Sequence, residues 1–287
     1  MTIRKQIKKL YNAIKTQALK VDSRLSYRQT VATPTNQTSV SDNGEYPLFC
    51  HQAAYTPEIF NSFRKNQTYR NILEHVSEFD ARQYLIEIRK CQSVYHKIDC
   101  LRHNDSAGGP FLVDIDEIKA VSTTTLRYIK VLCDIVNMFP TLNKQKVYEI
   151  GVGYGGQCRI IDEFYGPAEY CLIDIRPALQ LAETYLDRFA LKTTVRFKTI
   201  NELAIESPDI LISNYAFSEL PRWLQLRYME KVICRSKMGY ITYNAINPAS
   251  FESFTAKELQ DSIPGAEILP ETPCTHKGNC IIVWGHK

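Results

Sequence analysis

Residues 147–156 have the sequence Val-Tyr-Glu-Ile-Gly-Val-Gly-Tyr-Gly-Gly, and this stretch decides the predicted fold. A short apolar run ends in a series of glycines, after which residues 157–164 have a helical pattern. The pattern predicts a strand, a tight turn and the beginning of a helix. Gly151, Gly153 and Gly155 let the backbone turn sharply and leave its amides accessible to a ligand. We therefore expect a nucleotide-type cofactor to bind at this turn.

The glycines alone leave the cofactor undecided, because Gly151, Gly153 and Gly156 also satisfy the dinucleotide-binding pattern. Glu149 favours a cofactor with a positive end, such as the ammonium and sulfonium of S-adenosylmethionine. At contact distance its carboxylate would repel a pyrophosphate by about 1–4 kcal/mol, depending on screening. A strand-to-helix turn without any ligand is the alternative interpretation.

A second acid follows the glycines at the spacing of a ribose-binding site. Residues 168–174 predict the next strand, which ends in Asp174 about 20 residues after the glycines, where a carboxylate accepts both ribose hydroxyls. Residues 177–189 then predict a helix, as a strand–helix–strand unit requires. A solvated aspartate at the end of a strand is the plainer alternative.

The composition is that of an ordinary globular protein, with 287 residues, 44% hydrophobic residues and a net charge of +4. Such a mild charge gives no reason to expect a nucleic-acid partner. No apolar run has the length of a membrane span and no signal-peptide core follows the basic N-terminus, so we expect a cytoplasmic protein. The nine cysteines contain no Cys-x-x-Cys pair and predict neither a disulfide framework nor a zinc site.

The chain divides into three predicted parts. Residues 1–28 contain a basic amphipathic helix, over residues 1–22, that suits the inner face of a membrane or a glycosyltransferase complex. The other interpretation, which we favour slightly, is a packed or homo-oligomer-forming helix with a solvated basic face. Residues 29–140 predict a helical cap that binds the acceptor, and their first part, residues 29–57, has the composition of a linker or extended loop.

Residues 141–287 alternate strands and helices and form the predicted cofactor-binding domain. The last two strands, predicted over residues 266–269 and 280–284, follow each other without a helix between them. This ending predicts an antiparallel final pair on an otherwise parallel sheet.

The pattern Glu149-Ile-Gly-x-Gly-x-Gly-Gly156, with Asp174 and the final strand pair, resembles the class I S-adenosylmethionine-dependent methyltransferases over residues 140–287. The resemblance implies an α/β fold with a Rossmann-like seven-stranded sheet, six strands parallel and the last pair antiparallel, and a helical N-terminal cap. Further segments are similar to the sugar O-methyltransferase family of polysaccharide clusters: residues 104–105, 109–110, 125–128, 213–220 and Asn279.

The methyltransferase resemblance implies a set of contacts to S-adenosylmethionine. The glycines would line its methionine and ribose portions, Glu149 would face the ammonium, Asp174 would hold the ribose, and Asn201 would meet the adenine edge. Tyr215 would close over the sulfonium through a cation–π contact, with a packed aromatic ring as the alternative. The expected cofactor contacts are Glu149, Gly151, Gly153, Gly155, Asp174, Ile175, Asn201, Asn214 and Tyr215.

Transfer of a methyl group to a sugar hydroxyl needs a base, because the hydroxyl is a weak nucleophile. Glu219 is the only carboxylate in the loop after the fourth strand, and we expect it to act as the base or to orient the hydroxyl. Its alternative role is that of an acid at a helix start, which contributes about 0.3–1 kcal/mol. His276 is the second candidate base, since an unperturbed histidine titrates near pH 6.5. A solvated loop histidine is its alternative.

Three residues of the cap region are candidate acceptor contacts. Asp105 would reach the acceptor or cap a turn, while Arg127 and Tyr128 would bind acceptor hydroxyls or a nucleotide-sugar phosphate. For Arg127 a surface ion pair is the alternative. No cluster with metal-ligand spacing occurs, so no metal is predicted.

The sequence thus predicts an O-methyltransferase that acts on a sugar, a glycan or a nucleotide sugar in polysaccharide or natural-product biosynthesis. Two other functions remain open: an NAD-dependent oxidoreductase with the same glycine turn, and a non-catalytic interaction protein that keeps the fold. Glu149 and the antiparallel ending argue against the oxidoreductase. The intact turn with both acids argues against loss of cofactor binding.

Overall fold

The computed structural model describes Ser39 and residues 44–287, so the helix predicted over residues 1–22 lies outside the described residues. The helices are α1 Glu45–Tyr55, α2 Pro57–Phe60, α3 Gln67–Ile72, α4 Glu78–Lys90, α5 Gln92–Tyr95, α6 Ile98–Leu101, α7 Thr123–Met138, α8 Gly156–Tyr165, α9 Arg176–Leu186, α10 Arg222–Lys231 and α11 Ala256–Ser262. The strands are β1 Val113–Ile115, β2 Ile118–Val121, β3 Lys146–Ile150, β4 Glu169–Ile173, β5 Thr194–Lys198, β6 Ile210–Asn214, β7 Met238–Tyr243, β8 Glu267–Pro270 and β9 Cys280–Trp284. Short 3-10 turns cover Phe63–Lys65, Arg102–Ser106, Ala216–Glu219, Ile233–Arg235 and Ala249–Phe251.

Strands β3 to β9 form one seven-stranded sheet in the order β5-β4-β3-β6-β7-β9-β8. Strand β9 runs antiparallel to both of its neighbours, and the other pairs along the sheet are parallel. The predicted α/β fold class, with six parallel strands and an antiparallel final pair, is confirmed. After β5 the chain crosses to the other side of β3, and in open α/β sheets a crevice for ligands lies at such a reversal.

The central strands are apolar along their length because helices cover both faces of the sheet. The side chains of Val147, Tyr148 and Ile150 in β3 are buried. In β6 the side chains of Ile210, Leu211 and Ile212 are also buried. Helix α7 begins at a Ser122 cap, where the serine hydroxyl accepts the Thr125 N–H at 3.1 Å. These elements set the carboxyl ends of β3 and β6 next to the beginning of α7.

The helices before β3 share one hydrophobic core with the sheet. The buried cluster runs from Tyr46 in α1 to Val283 in β9 without a division between the two halves. Helix α1 packs on α9, where His51 Nδ1 lies 3.1 Å from Gln180 Oε1. No helix within residues 44–287 combines the length and the apolar character that crossing a bilayer would require.

The structure differs from the sequence prediction at several elements before β3. Residues 45–55 form a helix, so the linker predicted over residues 29–57 is wrong there; Tyr46, Cys50 and Ala53 recur at helical spacing and are all buried. The Thr, Ser, Asn and Pro residues before Glu45 dominate the composition of residues 29–57, so the helical spacing of the apolar residues was overlooked.

Two predicted helices end earlier than expected, and one hairpin was not predicted. The apolar spacing of the sequence predicts helices over residues 68–76 and 78–98, whereas helix α3 stops at Ile72 and helix α4 stops at Lys90. Strands β1 and β2 form an antiparallel pair that is too short to give a periodic sequence signal.

Candidate cofactor and acceptor site

A cleft of about 940 Å³ lies at the carboxyl ends of the central strands. Gly151 and Gly153 line it after β3, Asp174 after β4 and Asn214 at the end of β6. Leu73 and other residues from the connection between α3 and α4 form the opposite wall. The cleft therefore lies where the reversal in strand order predicts a ligand site.

The glycine turn requires residues without side chains. Gly151 has a φ of +76° and Gly153 a φ of +55°, conformations that L residues with side chains rarely adopt. A Cβ atom at Gly151 would lie 1.9 Å from the Ala216 Cβ, and one at Gly153 would lie 2.8 Å from the Leu73 Cδ1. Gly155 also has a positive φ of +85°, but its missing side chain faces Leu186 and it does not line the cleft.

Tyr154 anchors the glycine turn to the helical cap. Its ring is fully buried, and the Arg64 Cζ lies 4.7 Å from the ring centroid. Asn104 Nδ2 donates to the tyrosine hydroxyl at 3.3 Å. The side chain in the middle of the turn thus packs against the cap, while Gly151 and Gly153 before it line the cleft.

Asp174 presents a half-buried carboxylate at the floor of the cleft. Its Oδ2 accepts the Val152 N–H at 2.8 Å, and its Oδ1 accepts the Ile175 N–H at 2.7 Å. Burial raises the pKa of Asp174 to about 6, against the opposing effect of these backbone donors. Each carboxylate oxygen has a further lone pair for a ligand donor, and at neutral pH the group is ionised.

Glu149 lies beneath the cleft and does not line it. The residue is 2% exposed, and the Tyr170 hydroxyl donates to its Oε2 at 2.8 Å. Burial raises the pKa of Glu149 to about 8, so the carboxyl is protonated at neutral pH. The sequence analysis expected a carboxylate facing the cofactor ammonium; instead the alternation of side chains along β3 directs Glu149 into the protein interior.

Two residues expected near the cofactor nucleoside lie together at one end of the cleft. Ile175 follows Asp174 directly and Asn201 follows β5, and both line the cleft. Arg227 Nη2 donates to the Asn201 Oδ1 at 2.9 Å. This hydrogen bond uses the oxygen of the asparagine amide and not its N–H groups. This end offers an apolar side chain and an amide edge.

The loop after β6 brings Tyr215 and Glu219 to the opposite end of the cleft. Asn244 Nδ2 donates to the Glu219 Oε1 at 2.7 Å, and burial raises the pKa of Glu219. A raised pKa makes this carboxylate a stronger base than an exposed glutamate. Tyr215 has a φ of 66° and donates its hydroxyl to Glu271.

Two further polar groups of the cleft have unused hydrogen-bonding capacity. Asn214 Nδ2 is buried without a partner among the described residues, and so is the Asn279 Oδ1. His276 also lines the cleft, with its Nδ1 2.9 Å from the Lys277 carbonyl oxygen. Both buried atoms can therefore form hydrogen bonds with a ligand in the cleft.

The three predicted acceptor contacts separate in the structure. Arg127 lines the cleft and is 9% exposed, rather than forming a surface ion pair. Asp105 is bound within the cap, where it accepts from Arg64 Nη1 at 2.8 Å and from the Ser122 N–H at 2.7 Å. Tyr128 is buried and lines only a small cavity behind the cleft.

The cleft brings together most of the predicted site residues. Those that line it are Gly151, Gly153, Asp174, Ile175, Asn201, Asn214, Tyr215, Glu219, His276 and Arg127. Those that do not line it are Glu149, Gly155, Asp105 and Tyr128.

Sequence reasoning missed His75, Asn244 and Arg227, which also line the cleft. His75 lies beyond the true end of α3, and the overlong helix predicted there concealed it as a loop residue. Asn244 follows the last residue of β7, and a polar residue at a parallel strand end was a usable signal. Within the described part of the chain, no group of three or more His, Cys, Asp or Glu side chains is arranged to hold a metal ion.

Neither a protein-family model nor a curated protein matches this chain. Among solved structures, the chain is similar to the methyltransferase in complex with the Haloferax volcanii Trm112 methyltransferase activator, with 14% identity over 54% of this chain and 87% of that chain and a TM-score of 0.40. It is similar to a SAM-dependent methyltransferase from Aquifex aeolicus, with 16% identity over 55% and 88% of the chains and a TM-score of 0.39. It is also similar to phosphoethanolamine N-methyltransferase 2 of Haemonchus contortus in complex with S-adenosyl-L-methionine, with 17% identity over 51% and 39% and a TM-score of 0.38.

Proposed function

We propose that this protein is an S-adenosylmethionine-dependent O-methyltransferase that acts on a hydroxyl of a sugar, a glycan or a nucleotide sugar. The observation that carries the proposal is the Asp174 carboxylate at the floor of the cleft, beside two glycines in the left-handed conformation. The carboxylate suits the ribose hydroxyls, and the bare backbone suits the methionine portion of the cofactor. The unpartnered Asn214 amide adds a donor at the same place.

The sheet order supports this cofactor over NAD. A dinucleotide-binding domain has the parallel order 3-2-1-4-5-6. Here the antiparallel strand β9 lies between β7 and β8. In a dinucleotide-binding domain the sixth parallel strand would occupy the position of β9. Because Glu149 is neutral and buried, it would not repel a pyrophosphate. The sheet order and the cleft are the features that favour S-adenosylmethionine over NAD.

The lining of the acceptor end supports a hydroxyl-rich acceptor. Amide, hydroxyl and carboxylate side chains line it and supply both donors and acceptors for hydrogen bonds to sugar hydroxyls. The polar side chains on this part of the cleft are Asp80, Asn214, Tyr215, Glu219, Asn244, Thr275 and Asn279.

Glu219 is the proposed general base. When bound, S-adenosylmethionine supplies an electrophilic methyl group on a sulfonium. Glu219 would accept the proton of the acceptor hydroxyl at a carboxylate oxygen as that hydroxyl oxygen takes the methyl group from the sulfonium. Asn244 holds the carboxylate in place through its 2.7 Å hydrogen bond, and alignment of the reacting groups can supply about 7–11 kcal/mol of the barrier.

Calorimetry with S-adenosylhomocysteine and with NAD tests the cofactor. We expect saturable binding of S-adenosylhomocysteine, loss of that binding in Asp174→Ala, and no comparable binding of NAD. The holoprotein is then assayed for transfer of a labelled methyl group to sugars. Absence of S-adenosylhomocysteine binding, or tighter binding of NAD, would contradict the proposal.

A further inference from the structure

Arg127 contributes a buried cation to the wall of the cleft. It extends from α7, lines the cleft and is 9% exposed. Its Nη2 donates to the Leu73 carbonyl oxygen at 3.1 Å, which is a neutral acceptor. Among the described residues, no carboxylate forms an ion pair with this guanidinium. A guanidinium has five N–H donors, so most of its donors remain free of side-chain acceptors.

The carboxylates around Arg127 and along the same wall are held by other groups. Their partners are Arg64 Nε at 2.5 Å for Glu74, Ser77 Oγ at 2.6 Å for Asp80, Asn244 Nδ2 at 2.7 Å for Glu219, and the Thr275 N–H at 2.8 Å for Glu271. Each of these acids therefore has a polar partner of its own within the protein. None of them forms an ion pair with Arg127, although Glu74 and Glu219 act on its charge from a greater distance. A buried cation without a direct anionic partner is costly, and an anionic ligand in the cleft would supply one.

Aromatic rings hold the guanidinium in position without neutralising it. The Arg127 Cζ lies 5.7 Å from the ring centroid of Tyr128 and 5.9 Å from that of Tyr215. Tyr215 is also the first residue after β6, so Arg127 lies close to the loop that carries Glu219. An anion bound by Arg127 would thus lie near the proposed base.

His75 lines the same wall as Arg127. Burial and the nearby charge of Arg127 lower the pKa of His75, although Asp80 acts in the opposite direction. The imidazole is therefore neutral at pH 7 and offers a hydrogen bond without a charge. Arg127 remains the charged group of the pair.

We propose that the acceptor carries an anionic oxygen group, a carboxylate or a phosphate, and that Arg127 binds it beside the hydroxyl that is methylated. This inference rests on the proposed function and specifies its substrate class as an acidic sugar. The planar guanidinium matches the paired oxygens of either group. Arg127 then determines the specificity for an acidic acceptor, whereas Glu219 accepts the proton.

Calorimetry on the full-length protein saturated with S-adenosylhomocysteine tests the proposal with matched sugars. The probes are glucose, glucuronate and glucose 1-phosphate, together with galactose, galacturonate and galactose 1-phosphate. We expect at least one acidic sugar to bind about 30-fold or more tightly than its neutral counterpart, as for a charge pair of this kind. The uronate and phosphate arms distinguish the two sources of the anion.

The preference should disappear in Arg127→Met, while S-adenosylhomocysteine still binds. Arg82→Met, which removes an exposed charge outside the cleft, should keep the preference and serves as the matched control. If every acidic sugar binds no better than its neutral counterpart, or if the preference survives Arg127→Met, the proposal is overturned. Failure of S-adenosylhomocysteine to bind at all would instead overturn the methyltransferase function, so the two failures are distinguishable.

Discussion

Glu149 lies on β3 and Asp174 directly follows the neighbouring strand β4, yet only Asp174 lines the cleft. Asp174 is at its floor, held by two backbone N–H groups, whereas Glu149 is enclosed beneath it and bound by Tyr170. Their pKa values are raised to about 6 and about 8, so at neutral pH only Asp174 is ionised. Burial raises both pKa values, and the two acids differ in charge because backbone N–H groups stabilise the Asp174 carboxylate, whereas Glu149 has only the Tyr170 hydroxyl.

Substitution of these two acids separates their roles. We expect Asp174→Asn to weaken binding of S-adenosylhomocysteine by about 1.5–3 kcal/mol, the value of hydrogen bonds to a charged group. Glu149→Gln replaces a carboxyl that is already neutral, and we expect it to change the affinity less than about threefold, or 0.7 kcal/mol. Calorimetry at pH 7 measures both. Equal losses in the two variants would contradict this assignment.

The pH dependence of Asp174 should have opposite signs for ligand binding and for stability. Below pH 6 the group becomes protonated, so the affinity for S-adenosylhomocysteine should fall as the pH is lowered from 7 to 5. Because its pKa is higher in the folded protein than in the unfolded chain, the folded state binds more protons there. Stability from this group therefore rises as the pH falls through 6.

The contribution of Asp174 is the difference between wild type and Asp174→Asn, both in ligand affinity and in the free energy of unfolding. Calorimetry gives the affinity, and chemical denaturation without ligand gives the free energy of unfolding, each at pH 5, 6 and 7. A change of the same sign in the two quantities would be inconsistent with an Asp174 pKa near 6.

Glu219 should control the rate of transfer without affecting the cofactor. We expect Glu219→Gln to lower kcat by about 10²–10⁴-fold, the range for a general base, with unchanged binding of S-adenosylhomocysteine. Since burial raises the pKa of Glu219, the wild-type rate should fall as the pH is lowered through that pKa. His276→Asn is the comparison, and we expect a loss below about tenfold. The reverse order of losses would assign the base to His276.

At the level of elements, the turn between β3 and α8 depends on the missing side chain of Gly151. An alanine there would bring its Cβ to 1.9 Å from the Ala216 Cβ, and we expect Gly151→Ala to cost about 1–3 kcal/mol or more through overpacking and to abolish cofactor binding. Gly265 is a matched control, because its φ is +74° and an added Cβ would meet nothing within 4 Å.

Gly265→Ala should therefore show only the cost of the left-handed backbone, about 1–2 kcal/mol. Urea denaturation measures both variants, and calorimetry with S-adenosylhomocysteine measures the site. If Gly151→Ala is no more destabilising than Gly265→Ala and still binds the ligand, the contact with the loop after β6 is not what requires glycine.

The strands and the long helix could be predicted from the sequence because local patterns specify them. β6 and β9 have the predicted bounds, residues 210–214 and 280–284, since each is an apolar run between polar residues. The apolar spacing predicts a helix from about residue 122 to residue 138, and helix α7 covers Thr123–Met138. The short hairpin and the early end of α3 depend on packing between distant residues, which a local pattern does not contain.

The site was predicted in part for the same reason. Strand ends and glycine turns locate a cleft, and Asp174 and Glu219 follow from that rule. The position of a residue at a strand end or a turn does not determine how deeply its side chain is buried. Glu149 and Asp105 were expected to face ligands because they are acidic, yet each is enclosed and bound by Tyr170 or Arg64.

For the whole molecule, Arg64 is a buried junction within the cap. Its side chain is fully buried, and it donates to Glu74, Asp105 and Ser122. Loss of this cation leaves two carboxylates without their partner, and we expect Arg64→Met to cost about 3–5 kcal/mol in the free energy of unfolding. Arg82→Met removes an exposed ion pair and should cost less than about 1 kcal/mol.

Chemical denaturation followed by tryptophan fluorescence and by circular dichroism compares the two arginine variants. Because one hydrophobic core joins both halves, we also expect the two signals to show a single coincident transition. Separate transitions, or equal costs for the two arginines, would contradict the shared core.

The Tyr154 ring has a consequence for attempts to recombine this protein with other proteins. A chimera that exchanges residues 44–138 for a segment of another protein would leave this ring facing a surface of a different shape. Phe63, Tyr69 and Asn104 supply that surface here. A segment transplanted into this position should therefore retain these three side chains, or we expect the glycine turn to lose its conformation.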